Sequence, residues 1–266
     1  MDAASDANTD MFHDRSRRCR DDLLFAQPRS SCYGDCPICC LPLPLPHDAS
    51  CHHAIMTSCC SKMICNGCLY VMRKGNEALG YLCPFCRHPF PKTKAECKAN
   101  VARRMEANEP VAMRIAGQMH YSEGEYDKAF QYFTKSAGQG DAVSHHNLSL
   151  MYRYGKGVEK DIKTAVHHWE EAAIAGHLEA RFRLGVYEWK RGNKERAVKH
   201  WIIASNLGEE KSLKELRQAY VERLLRKEDY NAALRAYQTA VDATKSPQRV
   251  LACMNSFMNT MIDFTL

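Results

Sequence analysis

Eleven of the fourteen cysteines in this chain of 266 residues fall between Cys32 and Cys86. Six of them form Cys-x2-Cys pairs: Cys36/Cys39, Cys65/Cys68 and Cys83/Cys86. The doublet Cys59-Cys60 lies just before the second pair. Two thiols separated by two residues can turn back on themselves and place both sulfurs about 2.3 Å from one zinc ion. Three pairs and the doublet supply eight thiols, enough for two closed tetrahedral sites.

Disulfides are the competing use of many cysteines, but they suit secreted or lumenal chains. The opening stretch MDAASDANTDMFHDRSRRCR is acidic, then basic, with no apolar core, so it does not read as a signal peptide. No run approaches the roughly 20 apolar residues of a membrane span. These features point to an intracellular protein, in cytoplasm or nucleus, where clustered cysteines hold metal. The formal charge of +6 then falls to about +2, once eight thiolates and two divalent ions are counted. Lys and Arg are scattered, and the Arg15–Arg20 and Arg103-Arg104 clusters read as solvated, so nucleic acid is not an expected partner.

Composition divides the chain. Residues 1–31 are rich in Asp, Ser and Arg without apolar periodicity and read as a disordered tail. The cysteine-rich unit spans 32–91. Its stretch Leu41-Pro-Leu-Pro-Leu-Pro46 is barred from helix, because each proline pushes its predecessor toward extended backbone. It is expected to pack over the metal core rather than to serve as a proline-motif docking site. Beyond Pro91 the sequence turns to Ala, Lys, Glu and aromatics, with a linking helix expected over 92–109.

The remainder repeats. Ala129, Ala165, Ala197 and Ala233 are each followed four residues later by an aromatic: Phe133, Trp169, Trp201 and Tyr237. Eight residues on stand Ala137, Ala173, Ser205 and Val241, and eleven on stand Gly140, Gly176, Gly208 and Thr244. Offsets of four and eight share one helix face, and glycine just past a helix end stops it. A second set of columns opens with Ala112, Ser144, Ala180 and Ser212, followed by Ala116, Leu148, Leu184 and Leu216, then Gly117, Ser149, Gly185 and Arg217. Intervals of 32 to 36 residues with two helices each are the pattern of a helical-hairpin solenoid. About four hairpins are expected over 110–245. A terminal capping helix over 246–266 follows, with an interaction helix as the alternative reading of Val250–Phe264.

The segment Asn147-Leu-Ser-Leu-Met-Tyr-Arg-Tyr-Gly-Lys-Gly-Val-Glu-Lys-Asp161, with Ala165, Trp169, Ala172-Ala173 and Gly176, resembles a Sel1-like repeat. That family is related to the tetratricopeptide repeat. The resemblance implies an α-solenoid adaptor whose concave face binds protein. Only this repeat carries the full loop Gly155-Lys-Gly-Val158.

Cys36-Pro-Ile-Cys39 and Cys83-Pro-Phe-Cys-Arg87 resemble the first and last pairs of a RING finger. The expected fold is therefore a small α+β RING-like two-zinc module followed by an all-α solenoid. The family's interleaved ligand order implies one zinc on Cys36, Cys39, Cys65 and Cys68. The other takes Cys83, Cys86 and two ligands from the middle stretch. Lys62 stands where the family has its histidine, and an ammonium cannot bind zinc. Cys59 with Cys60 is the first choice for these ligands, which requires a local turn; His53, His52 or Cys51 are the alternatives.

The resemblance also implies a ubiquitin ligase that docks a ubiquitin-conjugating enzyme through Ile38, Met72 and Pro84, with Arg87 as the activating cation. It implies no catalytic nucleophile. The alternative is a non-catalytic, zinc-stabilised interaction scaffold. The whole layout resembles RING-type proteins of diatom algae. The pairs His145-His146 and His167-His168 lie on expected helices, where neighbours do not share a face, so neither pair alone is a metal clamp. No phosphate-binding loop or nucleophile elbow is present.

Overall fold

The computed structural model describes residues 20–44, 54–75 and 80–263. The histidines and cysteine at 51–53 lie outside them, as do residues 1–19 of the N-terminal stretch.

The cysteine-rich unit folds around very little apolar matter. Strands β1 (Ala54–Met56) and β2 (Met63–Cys65) form an antiparallel ribbon in the register Ala54↔Cys65, Ile55↔Ile64, Met56↔Met63. Helix α1 (Asn66–Gly75) leaves directly from β2. The buried core consists of Cys36, Leu43, Ile64, Cys65 and Leu69, edged by Tyr33, Phe85 and Phe90. The proline-rich stretch thus supplies a core side chain, Leu43, as its Pro-Leu alternation suggests.

Ten helices follow. Helix α2 (Lys94–Glu106) is capped by Thr93, whose hydroxyl accepts from the Glu96 amide. The hairpins are α3 (Pro110–Ser122) with α4 (Tyr126–Ala137), α5 (Ala142–Tyr154) with α6 (Ile162–Ile174), and α7 (Leu178–Lys190) with α8 (Lys194–Ser205). A looser fourth pairs α9 (Glu210–Val221) with α10 (Lys227–Ala243). Helix α11 (Pro247–Asp263) ends the described chain.

The repeated columns are the packing positions. Ala129, Ala165 and Ala197 are fully buried, as are Phe133, Trp169 and Trp201 beside them. Small residues on the first helix of a hairpin receive these rings. A β-carbon at Gly117 would lie 2.7 Å from Phe133, and one at Gly185 would lie 2.3 Å from Trp201. The glycines at the repeat ends adopt left-handed backbone, with φ of 86°, 84° and 90° at Gly140, Gly176 and Gly208. The residue after each one caps the next helix: Asp141, His177 and Glu209 accept from the amides of Ser144, Ala180 and Ser212. One dipeptide therefore stops a helix and starts its successor.

Two expectations change. Residues 20–31, read from composition as part of a disordered tail, run along α6, α7 and α8 with Leu24 buried among Trp169, Ala172, Ala173, Ala180 and Leu184. One buried leucine, a half-buried phenylalanine and a few polar contacts anchor this segment, too little for a composition-based reading to register. Helix α11, expected to cap the solenoid, packs chiefly against α1 of the cysteine-rich unit. Gly67 lets it approach: a β-carbon there would lie 2.7 Å from the Arg249 nitrogen. No described helix is long and apolar enough to cross a membrane.

Candidate metal centres

Three loops of the cysteine-rich unit share one backbone design. In residues 36–41 the Cys40 amide donates to Cys36 O (2.8 Å) and the Cys36 amide to Leu41 O (2.9 Å). In residues 83–88 the Arg87 amide donates to Cys83 O (2.8 Å) and the Cys83 amide to His88 O (2.8 Å). Residues 57–62 repeat the arrangement: Ser61 N to Thr57 O, and Thr57 N to Lys62 O, both 2.9 Å. In each loop the residue after the last cysteine has a φ of 55°: Cys40, Arg87 and Ser61. These are three knuckles, and only two of them begin with cysteine.

In the middle knuckle Thr57 takes the first cysteine's place. Its hydroxyl donates to Lys62 O (2.9 Å), accepts from the Lys62 amide (3.1 Å) and touches Cys60 Sγ at 3.1 Å. The turn over residues 58–60 brings the Cys59 and Cys60 thiols to the same side. Lys62 points elsewhere, with its ammonium 4.9 Å from the centre of the Phe85 ring.

Two tetrads result. The sulfurs of Cys36, Cys39, Cys65 and Cys68 lie within 4.8 Å of one another, and so do those of Cys59, Cys60, Cys83 and Cys86. Four sulfurs on a tetrahedron of radius about 2.3 Å are spaced about 3.8 Å apart. Observed separations are 3.9 Å for Cys36–Cys68, 3.7 Å for Cys39–Cys65 and 3.6 Å for Cys60–Cys83. Both groups therefore fit a tetrahedral, thiolate-loving ion. That donor set selects zinc or iron over magnesium or calcium. Cys32, Cys40 and Cys97 stand outside both tetrads. Burial pushes Cys32 up to about 12, the behaviour of an inert packed thiol.

Backbone amides favour ionisation at two of the eight sulfurs, Cys36 and Cys83, while burial pushes Cys59, Cys60, Cys65 and Cys68 up. Burial opposes ionisation of Cys36, but the amides of Cys65, Cys39 and Ile38 outweigh it and bring the thiol down to about 7. Cys83 moves down for the same reason, against burial, with the amides of Cys86 and Phe85 as donors. The Cys68 amide, in the first turn of α1, donates to Cys65 Sγ at 3.4 Å. No acidic side chain occupies that turn, so the thiolates face the positive end of the helix alone.

One functional residue escaped the sequence reading. Arg249, 1% exposed, reaches from α11 to the first tetrad. Its guanidinium donates to Cys39 Sγ (3.5 Å), Leu41 O (3.3 Å), Pro42 O (2.8 Å) and Thr244 O (2.6 Å). Four thiolates on a divalent ion carry a net double negative charge, and a buried cation beside them offsets part of it. No motif could have pointed to it, since it stands 210 residues from Cys39.

The residues read as a docking face are all at least partly exposed. Ile38 is 42% exposed, at the tip of the first knuckle. Arg87 is exposed at the end of the third, while Met72 and Pro84 are half-buried. Across the solenoid, the histidine doublets pair between helices: His145 Nδ1 lies 3.1 Å from His168 Nδ1, and His146 stacks on His177 at 4.3 Å. Burial, then the charges of His145 and His167, brings His168 down to about 4.

Comparison with known proteins places matches in the solenoid. The Sel1 repeat family matches residues 110–141, 142–177 and 178–209, which are the first three hairpins. The chain carries Sel1 repeats there. An uncharacterized protein of Neisseria meningitidis serogroup B is 38% identical over 56 residues, which is 21% of this chain and 12% of that protein. The chain thus aligns with only a small part of that relative's length. Among solved structures, a Sel1 repeat protein from Oxalobacter formigenes is 24% identical with a TM-score of 0.49, over 67% of this chain and 71% of that one. A protective antigen of uropathogenic Escherichia coli strains, displaying an SLR fold, is 23% identical with a TM-score of 0.45, over 68% and 38%.

Proposed function

We propose that this protein is an interaction adaptor of RING type, in which a two-zinc module docks a ubiquitin-conjugating enzyme and the Sel1-repeat solenoid holds a protein target. The observation that carries this reading is the interleaving of two four-thiol groups along residues 36–86, with the first and third pairs in one group and the second and fourth in the other. With all four positions of each zinc filled by protein, no place remains for water or substrate, so the metal is structural. Zinc binding stabilises a core of five buried side chains that is too small to fold by itself.

A module of this kind contributes no nucleophile. It holds a thioester carried by its partner in a reactive arrangement, a gain from positioning. Ile38, Met72 and Pro84 supply the apolar footprint. Arg87 supplies a planar fork able to hydrogen-bond carrier and ubiquitin together. Its positive φ of 55° directs it from the knuckle as no regular strand or helix would.

A second reading, a zinc-stabilised scaffold without ligase activity, draws on two observations. Lys62 replaces the expected histidine, and α11 covers the Gly67 and Tyr70 face of α1, where Asn255 donates to the Tyr70 hydroxyl at 2.9 Å. Purified zinc-loaded protein, combined with activating enzyme, a panel of conjugating enzymes and ubiquitin, separates the two readings. Ligase activity predicts ubiquitin chains that fall at least about tenfold with Ile38→Ala or Arg87→Ala, the loss expected from about 1.4 kcal/mol of docking or positioning. Absence of chains across the panel sinks the ligase and leaves the scaffold.

A further inference from the structure

The solenoid already holds a peptide, its own residues 20–27. The Arg20 guanidinium pairs with Glu170 (2.8 Å) and Glu171 (3.0 Å) at one rim of a groove over α6, α7 and α8. Asp21 is gripped by both terminal nitrogens of Arg196, at 2.6 and 3.0 Å. Leu24 is 2% exposed in the apolar hole between Trp169 and Leu184. Phe25 lies on the His200 ring at 4.7 Å, with the Arg196 and Lys199 cations over its own ring at 4.8 and 5.5 Å. Gln27 donates to Ile203 O and accepts from Asn206. Leu23, between these anchors, points to solvent at 57% exposure. This is a helical turn read by a groove, with one apolar anchor, one aromatic and a charge of each sign at the rims.

Two buried polar side chains, Arg181 and His200, lie beneath this segment, which a purely structural seam would not need. Arg181 is fully buried and gives its two terminal nitrogens to Leu24 O and Ala173 O, each at 2.6 Å, while its Nε finds no acceptor. His200 is fully buried with both ring nitrogens unpartnered. Burying a guanidinium against carbonyls alone is costly. The cost falls on the closed state, because Arg181 regains water when the segment lifts away. The segment lies outside the residues that match the Sel1 repeat, 110–209.

We propose that this groove is the solenoid's recognition site for a short helical segment of a partner protein with the order basic–acidic–x–x–Leu–aromatic, and that residues 20–27 occupy it in cis until such a partner displaces them. The proposal rests on the reading of the solenoid as the target-holding half and is independent of ligase activity. Tethering gives the internal segment a millimolar effective concentration, so a free partner must overcome a standing competitor.

The test is fluorescence anisotropy with a labelled peptide of residues 18–32 added to the full zinc-loaded chain. Loosening the internal segment with Leu24→Asp or Phe25→Ala should tighten capture of the peptide at least about tenfold over the unaltered chain, as removal of a cis competitor requires. Adding Arg196→Glu to the loosened chain should weaken capture about tenfold. A peptide with Asp21→Arg should then restore it, a rescue that a merely structural role of Arg196 would not give. If Leu24→Asp costs the chain its helical circular dichroism, Phe25→Ala and the rim variant Asp21→Arg decide. Equal, weak capture by unaltered and loosened chains with intact helicity overturns the proposal. The assay contains no ubiquitin, so its failure and the failure of the ligase reading are separate results.

Discussion

Arg249 and His200 show how much a single buried group can hold. Arg249 satisfies three main-chain carbonyls and one cysteine sulfur from a helix that begins only two residues earlier. Arg249→Met removes the donors and leaves the carbonyls of Leu41, Pro42 and Thr244 without this partner. A loss of about 2–4 kcal/mol is expected, read as faster hydrogen exchange in α11 and the first knuckle. Arg249→Lys should rescue little, because an ammonium cannot span the four acceptors that the fork reaches. His200 is held neutral: burial, then the charges of Arg181 and Arg196, brings it down to about 3. An unfolded histidine titrates near 6.5. Between those values the unfolded chain binds a proton that the folded chain refuses, so stability is full above pH 6.5 and falls as the pH drops toward 3. His200→Phe removes this linkage and should move the acid midpoint of the helical signal down by roughly half a pH unit.

The helical hairpin is the unit in which small residues and rings have to match. Gly185 faces Trp201 so closely that a methyl group would sit 2.3 Å from the indole nitrogen. Gly185→Ala must therefore displace a fully packed ring, at a cost of about 1–3 kcal/mol. Gly124 has open space around it but a φ of 81°. Gly124→Ala should cost only the backbone strain, about 1 kcal/mol. Urea melts of the two variants rank them, and an equal effect would contradict the packing account. In the fourth hairpin Arg217 holds the corresponding slot and is exposed, and Tyr237 is only half-buried. The columns lose their stringency where no further hairpin covers them.

Among the described residues the metal module meets the helices at several places, including the Asn100 side-chain amide of α2 on the Ser58 hydroxyl at 3.3 Å, and both ends of the chain contribute. The N-terminal segment leaves its groove with the Cys32 amide bonded to Gly176 O at 3.0 Å, just before the first knuckle. Helix α11 returns from the solenoid's far end to pack on α1. Chelation is expected to release the module and α11 together while α3–α9 keep their helicity, measured by hydrogen exchange beside circular dichroism. Loaded protein should contain two zinc ions per chain. Cys60→Ser should lower that to one without freeing α11. Cys65→Ser should also lower it to one, but with α11 freed, since only the first tetrad touches Arg249.

The solenoid was legible because its constraints are local and recur. Ala at one column, an aromatic four residues on and glycine eleven on are demands of a single helix and its stop. The thiol groupings rested on spacing and on the resemblance to a RING finger. Reach decided the rest. That Thr57 completes a third knuckle depends on hydrogen bonds to Lys62, and that Cys59 and Cys60 share a side depends on the turn between them. The seating of Leu24 and the grip of Arg249 join residues more than 140 positions apart. Local pattern carries no record of such contacts, because one leucine or one arginine looks the same on a free tail as in a closed groove. Short-range periodicity thus set which helices form, and burial of a few polar and apolar anchors set where the two ends of the chain come to rest.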